Sequence, residues 1–365
     1  MNTDFIDALH EIESTKGISK DILIEAIEAA LISSYKRNFN TAQNVRVDIN
    51  RHTGVIRVYA RKNVVDEVLD PRLEISLDAA REINLNYQHD DIVEIEVTPR
   101  DFGRIAAQTA KQVVTQRIRE AERGLIYNAF IEKEEDIVTG IVQRQDTRNV
   151  YVDLGKVEAV LPLTELMPTE KFKHGDRIKA YITKVDNTPK GPQIILSRTH
   201  PGLLKRLFEL EVPEIFDGVV EIRSVAREAG FRSKIAVHSR NAEVDPVGSC
   251  VGQKGLRVQT IVGELKGEKI DIVRWSESVE EYVANALSPS KVLEVNVFES
   301  EKMCRVIVPD YQLSLAIGIK GQNARLAAKL TGWKIDIKSE TQAEQEFGRP
   351  KDASEEMHQD SVSID

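Results

Sequence analysis

One stretch of this chain occurs twice, and that repeat limits the fold more than any other feature. Residues 250–273 read CVGQKGLRVQTIVGELKGEKIDIV, and residues 316–338 read AIGIKGQNARLAAKLTGWKIDIK. Gly252 and Gly255 recur as Gly318 and Gly321, and both copies end in Lys-Ile-Asp-Ile, starting at Lys269 and Lys334. The glycines are 66 residues apart and the endings 65, so a single-residue gap aligns the copies. Matched copies of this kind are two examples of one supersecondary unit. In the first, Val258, Ile261, Val262 and Leu265 recur at helical spacing after the glycines. Upstream, Asp245-Pro246 reads as an N-cap followed by proline at the first helical position, and Asp310 takes a similar capping place in the second copy. Each glycine pair therefore sits in a tight turn between two helices.

A helix–GxxG–helix turn suits a nucleic-acid backbone. Without Cβ atoms, the glycines let sugar and phosphate approach the main chain. The second helix points free N–H groups and its positive dipole end at a phosphate. Lys254 or Lys320 adds a full charge inside the loop, and Arg257 or Arg325 stands one turn further on. This is a KH-type clamp, which grips about four nucleotides of a single strand. One GxxG recurs in many ordinary turns; two in a matched repeat are informative, and their setting adds to that. The chain as a whole carries a net charge of −9, yet residues 223–275 hold ten bases against six acids and residues 301–338 seven against three. Two basic islands thus lie inside an acidic chain.

The rest of the sequence surrounds these islands. Phe5, Leu9 and Ile12 share one helical face, and Leu23, Ile27, Ala30 and Leu31 another. The period then changes to alternation at Val45, Val47, Ile49 and again at Ile56, Val58, Ala60, with Thr53-Gly54 between them as a hairpin turn. Ser76 caps a short helix to Leu85, residues 92–97 form a strand, and Thr98-Pro99 opens a helix to about Arg123. Residues 1–130 read as one α+β domain. Residues 132–200 hold five short strand patterns, at 137–144, 150–154, 159–161, 177–185 and 193–197, separated by turn residues. Five such strands predict a small closed barrel of the OB type. Residues 201–276 and 277–340 carry the two repeats, and residues 341–365 read as a disordered acidic tail. The predicted fold class is multidomain α+β.

Other readings find little support. Asp101-Phe102-Gly103 matches a kinase triplet but none of its companion motifs is present. Gly248 to Gly255 does not space as a P-loop, and His10-Glu11 lacks the second histidine of HExxH. Two cysteines, Cys250 and Cys304, exclude a disulfide scaffold and fit a reducing cytosol, and the apolar flanks of Cys250 predict a buried thiol. No run of about 18 apolar residues exists to cross a membrane.

The stretch from Glu211 to Trp275, above all VDPVGSCVGQKG at residues 244–255, resembles the first KH domain of the NusA family of bacterial transcription factors. The order of an N-terminal domain, an S1 barrel and two KH domains is similar to that family over roughly residues 1–340. The resemblance implies a non-enzymatic regulator, without cofactor or metal, that works as a monomer in the cytoplasm. It implies binding of core RNA polymerase through the N-terminal domain and of nascent single-stranded RNA on the S1–KH–KH surface. It implies effects on pausing, termination and antitermination, alongside other antitermination factors. Contact with the polymerase α subunit through C-terminal acidic repeats is not expected, since the chain stops at Asp365. The implied RNA contacts are Gly252, Gln253, Lys254 and Gly255, then Gly318, Ile319, Lys320 and Gly321, with Arg198 at the end of the barrel's ILSR strand. On the barrel, Arg148, Tyr151 and Pro162 stand where the S1 pattern has two aromatics and a histidine, so Tyr151 is its one stacking candidate and the KH pair is expected to bind RNA far more tightly. An RNA-processing enzyme and a ribosome-associated RNA chaperone are the competing readings. The first lacks a phosphorolytic domain, and the second leaves the N-terminal domain without a task.

Overall fold

The computed structural model describes residues 3–39 and 44–347, and the chain divides into two compact units. The first comprises Met1–Asn128 with Pro189–Pro192, and the second the remainder.

In the first unit, helices α1 (Thr3–Lys16) and α2 (Lys20–Asn38) precede strands β1 (Val45–Ile49), β2 (Ile56–Val65) and β3 (Glu74–Ser76). Helix α3 (Leu77–Ile83), strand β4 (Ile92–Glu96) and helix α4 (Phe102–Ile131) follow. Strand β2 pairs antiparallel with β1 and β4 and parallel with β3. Leu23, Ile24, Ile27 and Leu31 of α2 pack with Val45, Val47 and Ile49 of β1 and with Phe102, Ala106 and Ala110 of α4, all buried. The hairpin and the Ser76 cap lie where the alternation and the serine place them. The Ser76 hydroxyl accepts from the Ala79 N–H at 3.3 Å. Helix α4 differs from its expected course: it begins at Phe102, because the Thr98 hydroxyl accepts the Val58 N–H of the sheet at 3.0 Å and does not cap a helix. It also continues past Arg123 to Ile131, where Phe130 is buried.

The second unit begins with strands β5 (Ile137–Gln145), β6 (Asn149–Asp153), β7 (Glu158–Pro162), β8 (Arg177–Thr188) and β9 (Gly191–Ser197). They close into a barrel in the order β5-β6-β7-β9-β8. Alternate residues point inward, among them Val150 and Val152 on β6 and Ala159 and Leu161 on β7.

The two repeats then form two sheets of the same design. Helices α5 (Pro201–Glu211) and α6 (Pro213–Phe216) lead to β10 (Val220–Glu228), β11 (Arg232–Ser239), α7 (Pro246–Val251), α8 (Leu256–Glu264) and β12 (Lys269–Arg274). Helix α9 (Val279–Ala286) leads to β13 (Glu294–Phe298), β14 (Met303–Val308), α10 (Leu313–Ile317), α11 (Gln322–Thr331) and β15 (Lys334–Ser339). In each sheet the first two strands pair antiparallel and the third joins parallel, with Arg232 opposite Lys269 and Met303 opposite Lys334. The Lys-Ile-Asp-Ile endings are thus the edge strands β12 and β15. The cores run on from one subdomain to the next: Met167 and Tyr181 of the barrel share a cluster with Leu204, Val237 and Ile261, and Ala226, Ala236 and Val273 of the first sheet share one with Val306 of the second sheet and Leu326 of α11.

Buried charges in this unit are paired, as desolvation requires. Arg227 and Glu268, whose side chains are fully buried, meet at 2.9 Å, and Lys234 reaches Asp271 at 3.0 Å. Burial raises the Glu268 carboxyl's pKa, but Arg227, the Ser233 hydroxyl and the Gly230 N–H outweigh it and hold the pKa below the usual carboxylate value.

Residues 341–347 of the expected tail are helical instead. Helix α12 (Glu340–Phe347) follows β15 directly. Ser339 and Gln342 form a capping box: the Ser339 hydroxyl accepts from the Gln342 N–H at 3.3 Å, and the Gln342 side chain accepts from the Ser339 N–H at 3.2 Å. Ala343 supplies one buried contact. Residues 348–365 of the expected tail lie outside the described residues.

Candidate nucleic-acid interface

The two glycine turns have almost the same backbone. In the first, Gly252 ends α7 at φ 71°, ψ 177°, Lys254 sits at φ 51°, ψ 22°, and Gly255 opens α8 at φ 77°, ψ 13°. The corresponding values are 75° and 172° at Gly318, 53° and 29° at Lys320, and 73° and 17° at Gly321. A lysine at positive φ is an unfavourable conformation, of the kind that concentrates at binding sites.

The glycines of each pair have different tasks. A Cβ on Gly252 would fall 2.7 Å from the Arg257 Cγ, and one on Gly318 would fall 2.8 Å from the Asn323 backbone nitrogen. The first glycine therefore closes the turn. A Cβ on Gly255 would meet only the Val258 methyl at 3.9 Å, and one on Gly321 would meet nothing within 4 Å. The second glycine leaves open space above the start of the following helix. Helices α3, α5, α7 and α9 begin with a side-chain cap, from Ser76, His200, Asp245 and Ser278. Helices α8 and α11 begin without one, as do α2, α6 and α10. Their first N–H groups, of Leu256 and Gln322, donate back to the Gln253 and Ile319 carbonyls of the turn. The N–H groups that follow have no side-chain cap, and they lie at the end where the second glycine leaves open space, an arrangement suited to an anion.

Gln253, Lys254, Ile319 and Lys320 are exposed around these openings. The arginines one turn on, Arg257 half-buried and Arg325 exposed, both turn back onto the protein. Arg257 donates to the Glu214 carboxylate at 2.9 Å and to the Ser249 carbonyl at 2.7 Å. Arg325 donates to Glu228 at 2.6 Å and to the Lys320 carbonyl at 3.3 Å, and Gln322 donates to the same Glu228 at 2.8 Å. Arg325 and Gln322 hold the Glu228 carboxyl below its usual pKa against the opposing effect of burial, and Glu228 raises that of Arg325. Each arginine therefore braces its turn. The sequence gives no sign of the two glutamates, which lie 43 and 97 positions from their arginines. Asp310 does not cap α10; its carboxylate accepts from the Thr341 N–H and hydroxyl, at 3.3 and 2.7 Å, at the start of α12.

On the barrel, Arg198 is 1% exposed, which takes it out of reach of a strand. Its Nε donates to Glu170 at 2.7 and 2.9 Å, and its other nitrogens to Glu170 and to the Lys179 and Glu264 carbonyls. A guanidinium so enclosed joins the barrel to the first repeat and offers no charge to solvent. The Tyr151 hydroxyl donates to Asp146 at 2.9 Å, and the Arg144 guanidinium covers the ring 3.4 Å from its centroid. One face of the stacking candidate is thus occupied. Arg148 is exposed and Pro162 half-buried nearby. Cys250, next to the first turn, is fully buried, and burial pushes its thiol up to about 12.

A closed five-stranded barrel followed by two helix–GxxG–helix units, each on a three-stranded sheet, defines a multidomain RNA-binding protein. Family models agree segment by segment: the NusA N-terminal domain matches residues 4–124, the S1 RNA binding domain 132–198, the NusA-like first KH domain 198–275 and the NusA-like second KH domain 279–345. The chain is 76% identical over 352 residues to the transcription termination/antitermination protein NusA of Halalkalibacterium halodurans, covering 96% of this chain and 92% of that one. It is 70% identical over 356 residues to the protein of the same description from Bacillus subtilis, with 98% and 96% covered. The Thermus thermophilus protein is 43% identical over 346 residues, with 92% and 89% covered. The chain belongs to the NusA family, a family of transcription factors and not of enzymes. Among the described residues no helix is long and apolar enough to cross a membrane.

Proposed function

We propose that this protein regulates transcript elongation by holding nascent single-stranded RNA on its two KH clamps while its N-terminal domain, residues 1–130, binds core RNA polymerase. Residues 132–200 then form the S1 domain, 201–276 the first KH domain and 277–340 the second. Relatives at 76% and 70% identity carry the description transcription termination/antitermination protein, which supports a role in pausing, termination and antitermination. The observation that carries the reading is the pair of uncapped helix N-termini, each beneath a second glycine with open space above it. The phosphate contacts are Gly252, Gln253, Lys254 and Gly255 in one clamp and Gly318, Ile319, Lys320 and Gly321 in the other. The protein acts in the cytoplasm as a monomer.

The test is transcription by purified polymerase on a template with a defined pause and a terminator. The full chain should change pause lifetime and termination. A variant with Gln253→Asp, Lys254→Asp, Ile319→Asp and Lys320→Asp should still bind polymerase and lose the part of the effect that depends on RNA. A variant that acts like the wild type would refute the role of the clamps; a wild type that does not bind polymerase would refute the assignment of the partner.

A further inference from the structure

The second repeat carries a helix that the first lacks. Strand β12 ends at Arg274, and the next helix, α9, starts at Val279 and packs into the core of the second sheet. Strand β15 instead runs straight into α12, which forms a third wall of the groove between α10 and β15. That groove holds about 520 Å³ and is lined by Leu313 and Ile317 of α10, Ile337 and Lys338 of β15, and Gln342 and Glu346 of α12, among others. Its α10 wall ends at Gly318, the first glycine of the second clamp, and α10 has five residues, a length of about 7.5 Å. A strand gripped at residues 318–321 and running back along α10 therefore enters the groove at once.

Helix α12 opposes a nucleic-acid strand in two ways. It carries Glu340, Glu344 and Glu346 and no basic residue. Glu346 also engages Lys338 at 3.0 Å, which occupies a cation of the groove. At the same time α12 is lightly held. A helix of eight residues is marginal alone in water, and Ala343 is the one buried side chain among residues 340–346. The other ties are polar: the capping box with Ser339, the Lys338 pair, and the Asp310 carboxylate, which accepts from the Thr341 N–H and hydroxyl at 3.3 and 2.7 Å. Asp310 stands just before α10, so this last tie fastens the start of α12 beside the start of α10. An acidic helix beside a phosphate clamp, held by contacts that water can replace, gives way at small cost.

We propose that α12 is an autoinhibitory strap: docked in the free protein, it competes with the RNA strand for the groove beside the second clamp and swings clear when the strand binds. The inference rests on the reading that the clamps hold RNA. It makes the two clamps unequal, the first without such a competitor and the second opposed by a helix of its own domain.

The test uses the full chain and a dye-labelled, mixed-sequence single-stranded RNA. Amide hydrogen exchange of residues 340–347, read by mass spectrometry with and without saturating RNA, reports the strap. Its amides should be protected in the free protein and exchange roughly tenfold faster in the complex, the reverse of what an element that binds the strand shows. Glu344→Gln with Glu346→Gln, both at exposed positions, should raise RNA affinity roughly threefold and steepen the log–log salt slope by about 0.7 as Lys338 becomes free to meet a phosphate. Thr341→Val, which removes the hydroxyl tied to Asp310 and changes no charge, should raise affinity as well. RNA bound with the exchange of residues 340–347 unchanged or slowed, or with both variants binding like the wild type, would overturn the strap and leave the clamps standing. Absence of RNA binding by the wild type and the variants alike would overturn the clamp reading and the strap with it.

Discussion

Alanine at the first and at the second glycine of a clamp should produce opposite defects. Gly318 has φ 75° and ψ 172°, a combination that a residue with a Cβ adopts at a cost of about 1–3 kcal/mol. The new Cβ would also press on Asn323, 2.8 Å from its backbone nitrogen. Asn323 is poorly placed to retreat, because its side chain donates to the Leu287 and Ala316 carbonyls, both at 3.0 Å. Overpacking of this kind adds about 1–3 kcal/mol, so Gly318→Ala should lose roughly 2–6 kcal/mol of stability. Gly321 is in the left-handed helical region, where alanine costs about 1–2 kcal/mol, and its Cβ would meet nothing within 4 Å. Gly321→Ala should therefore remain folded with its methyl standing where a phosphate approaches. Losing one hydrogen bond to a charged group costs about 1.5–3 kcal/mol, roughly a ten- to hundredfold drop in RNA affinity. Denaturant unfolding and titration of labelled single-stranded RNA, run on both variants, separate the two effects. Gly321→Ala that bound RNA like the wild type, or that unfolded as readily as Gly318→Ala, would refute the division of labour.

Three further substitutions probe the neighbouring charges. Glu228→Gln should release Arg325 toward the strand, raising RNA affinity and steepening the log–log salt slope by about 0.7; an unchanged slope would show that Arg325 stays with its turn. Arg198→Ala should destabilise the protein by about 3–5 kcal/mol, since it strands Glu170 in the interior, while the RNA affinity of the folded variant should match the wild type; a selective loss of RNA binding would restore Arg198 to the interface. Glu268 has a folded pKa below its unfolded value, so its contribution to stability is full above the unfolded pKa and is lost as pH falls through the folded one. Unfolding free energies measured between neutral pH and about pH 3 should therefore fall less steeply in Glu268→Gln than in the wild type, and parallel curves would contradict the assignment.

How much of this was legible in the sequence depended on whether the deciding interactions were local. The β alternation, the Ser76 and Asp245 caps and the glycine turns depend on residues within a few positions of each other, and the structure places them where the pattern does. Arg198 failed for the opposite reason: its partners Glu170 and Glu264 lie 28 and 66 positions away, and nothing nearby marks the arginine as buried. Arg257 and Arg325 look free in the sequence because Glu214 and Glu228 reach them only across the fold. Thr98 resembles a cap until the sheet is built and Val58 claims its hydroxyl. Helix α12 did leave a local signal, Ser339 followed by Gln342, which the acidic composition of the segment obscured.

The central claim is that two uncapped helix ends grip the phosphates of one single strand, and salt-dependent RNA binding tests it most directly. For the wild type, roughly 3–6 neutralised phosphates at about 0.7 each give a log–log slope of about −2 to −4. The variant with aspartate at positions 253, 254, 319 and 320 should bind more weakly by about 1–3 kcal/mol per clamp and show a shallower slope, with its unfolding midpoint unchanged. Equal affinity and equal slope in the two folded proteins would contradict the account.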